Sequence, residues 1–276
     1  MLSRFRPWRR TAQILSALAV AAIPIANAKG FAVISGNFFS FNLAGLPFAD
    51  PLAAAQALLG GQSTARTMLL GAGIVLAVAL VLGRVFCSWL CPYGLFSEWV
   101  FTLRGKPQEA ISGQNPVRIR LSVAAVGILA VATVITVPIL NQLSMPGWYS
   151  LALQHSAFYG AILYSALFFP LMLALEAVKG ERLWCRYLCP QSALLSLFAA
   201  APAGLRVQFT PKLCSCAKND RACLAACSLR LNPRKPEPLQ RFECTNCGDC
   251  VDACSERGKA LSLITYGIFR TFKKMT

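Results

Sequence analysis

The chain has 276 residues, of which 56% are hydrophobic and 14% charged, against about 25% charged in a typical globular protein. This composition and the mean hydropathy of +0.53 exclude a disordered chain, a collagen and a small secreted protein. A net charge of +16 would suggest nucleic acid in a soluble protein, but no motif combining aromatic and basic residues supports that partner. In so apolar a chain the charge indicates contact with membrane lipid.

Four apolar stretches approach the about 20 residues that a helix needs to cross a bilayer. They are Thr11 to Ala28, Thr67 to Phe86, a third near Leu121–Leu140 and a fourth near Ala157–Ala177. All but Lys29 and Arg66 of the 27 Lys and Arg residues precede the first stretch, lie at the end of the second or between it and the third, or follow the fourth. The positive-inside rule therefore predicts a multi-pass membrane protein with both termini in the cytoplasm. The first stretch, which ends in Ala26-Asn27-Ala28, also resembles a cleavable signal peptide, and that alternative stays open.

A short motif, C-x3-C-P, occurs twice: Cys87 to Pro92 and Cys185 to Pro190. This internal repeat predicts two parallel αα-hairpins that bring both motifs to one membrane surface. Cysteines four apart on a helix are about 5–6 Å apart at Cβ, too far for a simple disulfide. Three interpretations stay open for Cys87, Cys91, Cys185 and Cys189: one shared cluster or metal site, a redox-active dithiol, or buried free cysteines.

The remaining cysteines lie in the last quarter of the chain. Cys244, Cys247, Cys250 and Cys254 follow the C-x2-C-x2-C-x3-C spacing of bacterial [4Fe–4S] ferredoxins, which a zinc site does not require. A second set, in which the spacing is irregular, comprises Cys214, Cys216, Cys223 and Cys227. Two-cluster ferredoxins exchange their fourth ligands. The predicted ligand sets are therefore Cys214, Cys216, Cys223 and Cys254 for cluster 1, and Cys244, Cys247, Cys250 and Cys227 for cluster 2.

The predicted fold is an all-α membrane bundle of four transmembrane helices, made of two repeated αα-hairpins, over residues 1–203. A small C-terminal α+β domain, like a bacterial ferredoxin and exposed to the cytoplasm, is predicted over residues 204–276.

With its twin C-x3-C-P motifs and two-cluster tail, the chain resembles the NapH/MauN-type membrane ferredoxin family. The segment from Phe86 to Pro92 and the stretch from Gly36-Asn37 to Asp50-Pro51-Leu52 carry the likeness. The resemblance implies an electron-transfer protein of the bacterial cytoplasmic (inner) membrane. It also implies quinol oxidation that feeds a periplasmic respiratory or amine-oxidising system through an accessory ferredoxin-type protein.

Whether the chain is itself an enzyme stays open. We consider four ionisable residues outside the clusters as candidates for handling quinol protons: His155, Asp50, Glu98 and Glu176. Each also has a structural interpretation, such as an N-cap for Asp50 and ion pairs for the two glutamates. Two other function classes remain: a redox maturation factor for a periplasmic metallo- or quinone-cofactor enzyme, and a scaffold with structural clusters.

Overall fold

The computed structural model describes most of the chain, and all structural statements concern residues 5–28, 34–37, 40–43, 46–59, 66–104, 145–159, 165–199, 204–216, 222–234, 242–255 and 258–265.

Most of the described residues are helical. The α-helices are α1 (Phe5–Ala28), α2 (Pro51–Leu59), α3 (Arg66–Leu82), α4 (Val85–Trp89), α5 (Pro92–Arg104), α6 (Met145–Tyr159), α7 (Ser165–Lys179), α8 (Pro190–Ala199), α9 (Ala222–Ala225) and α10 (Asp249–Ser255). Proline begins three of them, because its fixed φ suits the first helical position, where an N–H would lack a partner. Two of these prolines, Pro92 and Pro190, are the last residues of the C-x3-C-P motifs.

Two small antiparallel sheets accompany the helices. The first contains β1 (Ile34–Asn37), β2 (Ser40–Leu43) and β3 (Leu46–Ala49) in that order. The second pairs β4 (Leu205–Phe209) with β5 (Leu261–Thr265), so that Phe209 lies opposite Leu261. The fold is therefore mixed, mainly helical with small sheets, and a sheet precedes α2 where the sequence predicts an all-α bundle.

The predicted four-span transmembrane bundle is wrong. Across the described ranges, no helix combines the length and the apolar character that crossing a membrane requires. α3 has 17 residues and α7 has 15, which at 1.5 Å per residue reach about 26 and 22 Å, short of a bilayer core of about 30 Å. α3 ends early because Gly83 adopts a φ of +73°, which a continuing helix does not allow.

The first and fourth predicted spans overlap helices of the structure. α1 has 24 residues, but its first turns carry Arg6, Arg9 and Arg10, and Arg9 is fully buried in polar contacts. The predicted fourth span covers the end of α6 and most of α7, which contains Pro170. The predicted third span, near Leu121–Leu140, lies outside the described residues.

The amino-terminal helix packs against the cysteine-rich tail. Both carboxylate oxygens of Asp252 on α10 accept hydrogen bonds from the first turn of α1, from the amides of Phe5 (3.1 Å) and Arg6 (2.8 Å). These amides have no partner within α1, so Asp252 satisfies them and its charge is favourable at a helix amino terminus. The two predicted domains are therefore joined through α1, and their boundary at residue 203 stays a prediction.

Candidate functional site

The two C-x3-C-P motifs share one backbone hydrogen bond. In each, the amide of the second cysteine donates to a carbonyl five residues back: Cys91 to Phe86 at 3.0 Å and Cys189 to Trp184 at 2.9 Å. This wider turn lifts the second cysteine out of the α-helical path, so that a new helix begins at the next residue. The sequence repeat is thus also a structural repeat.

Each second cysteine lies at the amino terminus of a helix. The Cys189 thiol accepts a hydrogen bond from the amide of Ser192 at 3.4 Å, and the Cys91 thiol accepts one from Gly94, also three residues on. Such amides favour a thiolate or a metal-bound sulfur over an uncharged group. Residue 94 must also be glycine, because a Cβ there would lie 2.6 Å from the carbonyl oxygen of Cys87.

The structure brings the four cysteines of the twin motifs into one neighbourhood. Cys91 is buried in an apolar cluster with Trp184 and Met145, and Cys185 and Cys189 pack against that cluster. Burial raises the pKa of the Cys91 thiol well above its ordinary value, and the nearby sulfurs of the other three, Cys87 included, raise it further. Burial likewise raises the pKa of Cys185 to about 11.

The predicted cluster 2 cysteines surround a cavity. Cys227, Cys244, Cys247 and Cys250 all line it, together with apolar residues of β4 and with Gly83. Its empty volume is about 950 Å³, a figure that includes space open to solvent. Burial raises the pKa of Cys227 to about 11 and those of Cys247 and Cys250 well above the ordinary value. Buried thiolates therefore need a cationic partner, which iron supplies.

The predicted cluster 1 cysteines surround a second, tighter cavity. Cys214, Cys216, Cys223 and Cys254 line it, with Arg234 at its wall, and its empty volume is about 260 Å³. The Arg234 Nε donates to the Cys223 sulfur at 3.2 Å. Both cavities therefore combine cysteines in the exchanged sets that the ferredoxin rule gives, with Cys227 and Cys254 changing places.

The twelve cysteines all lie in described residues, and none of them forms a disulfide in the structure. In the part of the chain that the structure describes, no three or more Cys, His, Asp or Glu side chains lie close enough to hold a single metal ion. The ligand assignments stay predictions.

Comparisons with known proteins agree with the repeat. A family model described as a 4Fe-4S binding domain matches the chain twice, over residues 64–108 and 162–206, and each match contains one C-x3-C-P motif. The ferredoxin-type protein NapH of Escherichia coli is 31% identical over 236 residues, covering 82% of this chain and 79% of its own. The chain belongs to the NapH/MauN ferredoxin-type family.

Other relatives match at greater length. The methylamine utilization ferredoxin-type protein MauN of Methylorubrum extorquens is 28% identical over 262 residues, covering 92% of this chain and 77% of its own. The NapH protein of Haemophilus influenzae is 28% identical over 271 residues, covering 92% and 88%. No solved structure matches the chain. The NapH/MauN resemblance is thereby confirmed, and this family member is an iron–sulfur protein of ferredoxin type.

The sequence reasoning missed two arginines of this NapH/MauN-type chain. Arg84 and Arg182 occupy the same place in the two repeats, three residues before the first cysteine, and both are buried. The extended motif R-x2-C-x3-C-P was readable in the sequence, because an arginine at equal spacing in two copies is a signal beyond the cysteines alone. Arg182 Nη2 donates to the Cys185 sulfur at 3.6 Å.

A further missed residue, Arg9, joins the helical region of this NapH/MauN-type chain to the tail. Its guanidinium donates to both carboxylate oxygens of Glu98, at 2.6 and 2.7 Å, and to both of Asp249, at 2.9 and 2.8 Å. Asp249 lies between Cys247 and Cys250. Burial lowers the pKa of Arg9, but the two carboxylates raise it by more, so the group stays charged.

The two glutamates proposed as proton carriers serve as ion-pair and hydrogen-bond acceptors. Glu98 is paired with Arg9 and lies 3.6 Å from Arg182. Glu176 accepts from the Ser97 hydroxyl at 2.6 Å and from the Trp184 amide at 3.0 Å. Both carboxylates therefore hold the twin-motif helices together. A role in proton transfer stays a prediction.

Asp50 and His155 lie in different surroundings. Asp50 caps α2 through the Leu52 amide (3.0 Å), as predicted, and also accepts from the Gln191 side chain (3.2 Å). Gln191 follows the second motif directly, so Asp50 lies near the twin motifs. Burial raises the pKa of Asp50 to about 7. His155 is half-buried on α6, ten residues and about 15 Å along the helix from Met145.

Proposed function

We propose that the chain is an electron-transfer protein of the bacterial cytoplasmic membrane. It takes electrons from quinol and delivers them, with an accessory ferredoxin-type protein, to a periplasmic respiratory or amine-oxidising enzyme. The observation that carries the proposal is the pair of cavities, each lined by four cysteines in an exchanged set. A [4Fe–4S] cluster, when bound, accepts and releases one electron at a time.

The cysteines of the larger cavity would hold cluster 2 and those of the smaller cavity cluster 1. N–H groups directed at sulfur support this assignment, because they stabilise the added negative charge of a bound cluster. Leu231 donates its amide to Cys227 at 3.4 Å, and Asn246 donates its amide to Cys244 at 3.5 Å. Backbone groups thus favour an anionic sulfur at two of the four larger-cavity cysteines.

The twin motifs would form a third redox or metal site, shared by Cys87, Cys91, Cys185 and Cys189. Their common neighbourhood supports this, as does the 4Fe-4S family model, which covers these two motifs. The first motif also touches the cluster 2 loop directly, because the Ser88 hydroxyl donates to the Thr245 carbonyl at 2.7 Å. A redox group held here would therefore lie beside the larger cavity.

A membrane location follows from the electron donor, since quinol is a lipid-soluble molecule. Large apolar side chains exposed on α1, α3 and α7 support it, among them Leu18, Leu70 and Leu167. The excess of basic residues favours an anionic lipid surface, with the cysteine-rich tail on the cytoplasmic side. No catalytic residue is assigned.

The proposal is tested by reduction of the clusters with quinol. The full chain, purified without oxygen, should contain iron and sulfide, and a reduced quinol should produce the EPR signal that dithionite produces. A chain that contains zinc without iron, or clusters that dithionite reduces and no quinol reduces, would contradict it. Cys216→Ser and Cys247→Ser serve as matched variants, each expected to remove a different cluster.

A further inference from the structure

The repeat-equivalent arginines, Arg84 and Arg182, reach from the twin motifs to the larger cavity. Arg182 donates from Nη2 to the Cys185 sulfur and from Nη1 to the Ser228 hydroxyl, at 3.6 and 3.1 Å. Ser228 lines the larger cavity and directly follows Cys227. One guanidinium therefore connects a twin-motif thiol with the wall of the cluster 2 cavity.

Arg84 makes the corresponding connection from the first repeat. Its Nη1 donates to the Phe242 carbonyl at 2.7 Å and more weakly to the Glu243 carbonyl at 3.4 Å. These are the two residues before Cys244, a cysteine of the same cavity. The same nitrogen donates to the Ser196 hydroxyl on α8 at 3.1 Å, so the arginine of the first repeat is held by a helix of the second.

Both arginines are almost inaccessible to water, with exposures of 0% for Arg84 and 3% for Arg182. Charges in such a low-dielectric place act more strongly than charges at a surface. A guanidinium is not deprotonated in proteins, so Arg182 stays charged. Glu98 is already paired with Arg9 at 2.6 Å, so its negative charge is shared and does not fully neutralise the positive charge of Arg182.

We propose that Arg84 and Arg182 are positioning residues that hold two fixed positive charges between the twin-motif thiols and the larger cavity, and thereby raise the reduction potential of the cluster bound there. The inference rests on the proposed function, because it concerns cluster 2. Reduction adds one negative charge, which a nearby fixed cation stabilises, and cluster potentials depend on net charge and on hydrogen bonds to sulfur. Because the arginines are equivalent across the repeat, each repeat contributes a contact of this kind.

The test is an EPR-monitored redox titration of the cluster signal that Cys247→Ser abolishes. Arg84→Gln and Arg182→Gln should each lower the equilibrium constant for reduction at least tenfold, a shift of about 59 mV to a more negative potential. Arg84→Lys and Arg182→Lys keep the charge and should titrate close to the wild type. Arg230→Gln is the matched control: it removes an arginine that pairs with Glu181 at 3.2 Å and lies near the same cavity, but is 23% exposed and screened by solvent.

Each result decides between a charge and a purely structural role. Gln variants that carry the cluster at the wild-type potential would overturn the inference. If the Gln variants carry no cluster, the Lys variants decide: cluster recovery at the wild-type potential supports the charge role, and loss in both overturns it. A wild-type chain that holds no iron–sulfur cluster would instead refute the proposed function, which iron and sulfide analysis of the same sample distinguishes.

Discussion

Arg9 shows what a single buried side chain contributes to this protein. It is fully buried and lies between two carboxylates, one from helix α5 and one from the tail, at 2.6 and 2.8 Å. Because these charges are out of water, removing one partner leaves the others uncompensated. Arg10 lies 3.3 Å from Glu98 and still compensates part of that negative charge when Arg9 is replaced. Asp249, in contrast, loses its short ion pair with Arg9.

We therefore expect Arg9→Met to lower the free energy of unfolding by about 3 kcal/mol, at the low end of the range for broken buried ion pairs. Urea unfolding of the purified full chain measures this. Arg230→Gln breaks a partly exposed pair, 23% and 27% accessible, and should cost about 0–1 kcal/mol. Equal losses in the two variants would show that the Arg9 network adds nothing beyond a surface ion pair.

Asp50 gives the protein a predictable dependence on pH. Burial raises its pKa from 3.8 to about 7, and one of its oxygens, Oδ2, is buried without a hydrogen-bond partner. Between these pH values the unfolded chain has lost the proton that the folded chain retains, so stability falls as the pH rises from about 4 to about 7. Below about 4 both states are protonated and the contribution is constant.

The free energy of unfolding of Asp50→Asn should therefore equal that of the wild type near pH 4. Above pH 7 it should be higher by up to about 4 kcal/mol, at 1.36 kcal/mol per pKa unit. Asparagine still caps α2, so the cap itself is preserved. Unfolding free energies measured across this range provide the test. Asp50→Ala, which also removes the cap, should be less stable than Asp50→Asn by about 1 kcal/mol. Parallel stability curves for wild type and Asp50→Asn would contradict the account.

At the level of elements, the end of α3 is fixed by the cluster 2 loop. Gly83 terminates the helix with a φ of +73°, and the side chain of Asn246 donates to the Leu82 carbonyl at 3.0 Å and to the Leu205 carbonyl at 2.8 Å. A Cβ at Gly83 would lie 2.6 Å from the Asn246 nitrogen. The loop between Cys244 and Cys247 thus binds the end of α3 and β4 at once.

Gly83→Ala should displace Asn246, strain the backbone, and reduce both the stability and the yield of cluster 2. Iron content and the EPR signal of cluster 2 report the second effect. Gly73→Ala in the same helix is the control: nothing lies within 4 Å of its added Cβ, so it should be neutral or stabilising by about 0.5–1 kcal/mol. Full cluster 2 occupancy in Gly83→Ala would show that this contact does not position the loop.

The sequence is informative about some elements and silent about others, for physical reasons. Helices α1 and α3 lie where two apolar runs occur, because hydrophobic content and helix propensity are local, but neither is a membrane span as predicted. The predicted continuation of the second run to Phe86 is wrong, because α3 ends at Leu82. Gly83 turns the chain there, and Arg84 donates a hydrogen bond to the Phe242 carbonyl, far away in the sequence. The three strands before α2 were not predicted.

On the scale of the whole molecule, the sequence makes two predictions: which cysteines share a cluster and how the helices are arranged. The two cavities contain the same groups of cysteines as the ligand rule for ferredoxins, but that these groups bind clusters stays a prediction. The four-span bundle depends on hydropathy, on the positions of the basic residues and on the internal repeat, and it is wrong. Contacts such as Arg9 with Asp249 and Asp50 with Gln191 join residues far apart in the chain, which no local pattern in one sequence specifies.

The central claim is that the two cavities hold two clusters with exchanged fourth ligands. The most direct test compares EPR spectra and iron content of Cys227→Ser and Cys254→Ser with those of Cys247→Ser and Cys223→Ser in the full chain. We predict that Cys227→Ser loses the same signal as Cys247→Ser, and that Cys254→Ser loses the same signal as Cys223→Ser. Loss of the Cys223-dependent signal in Cys227→Ser, and of the Cys247-dependent signal in Cys254→Ser, would contradict the account.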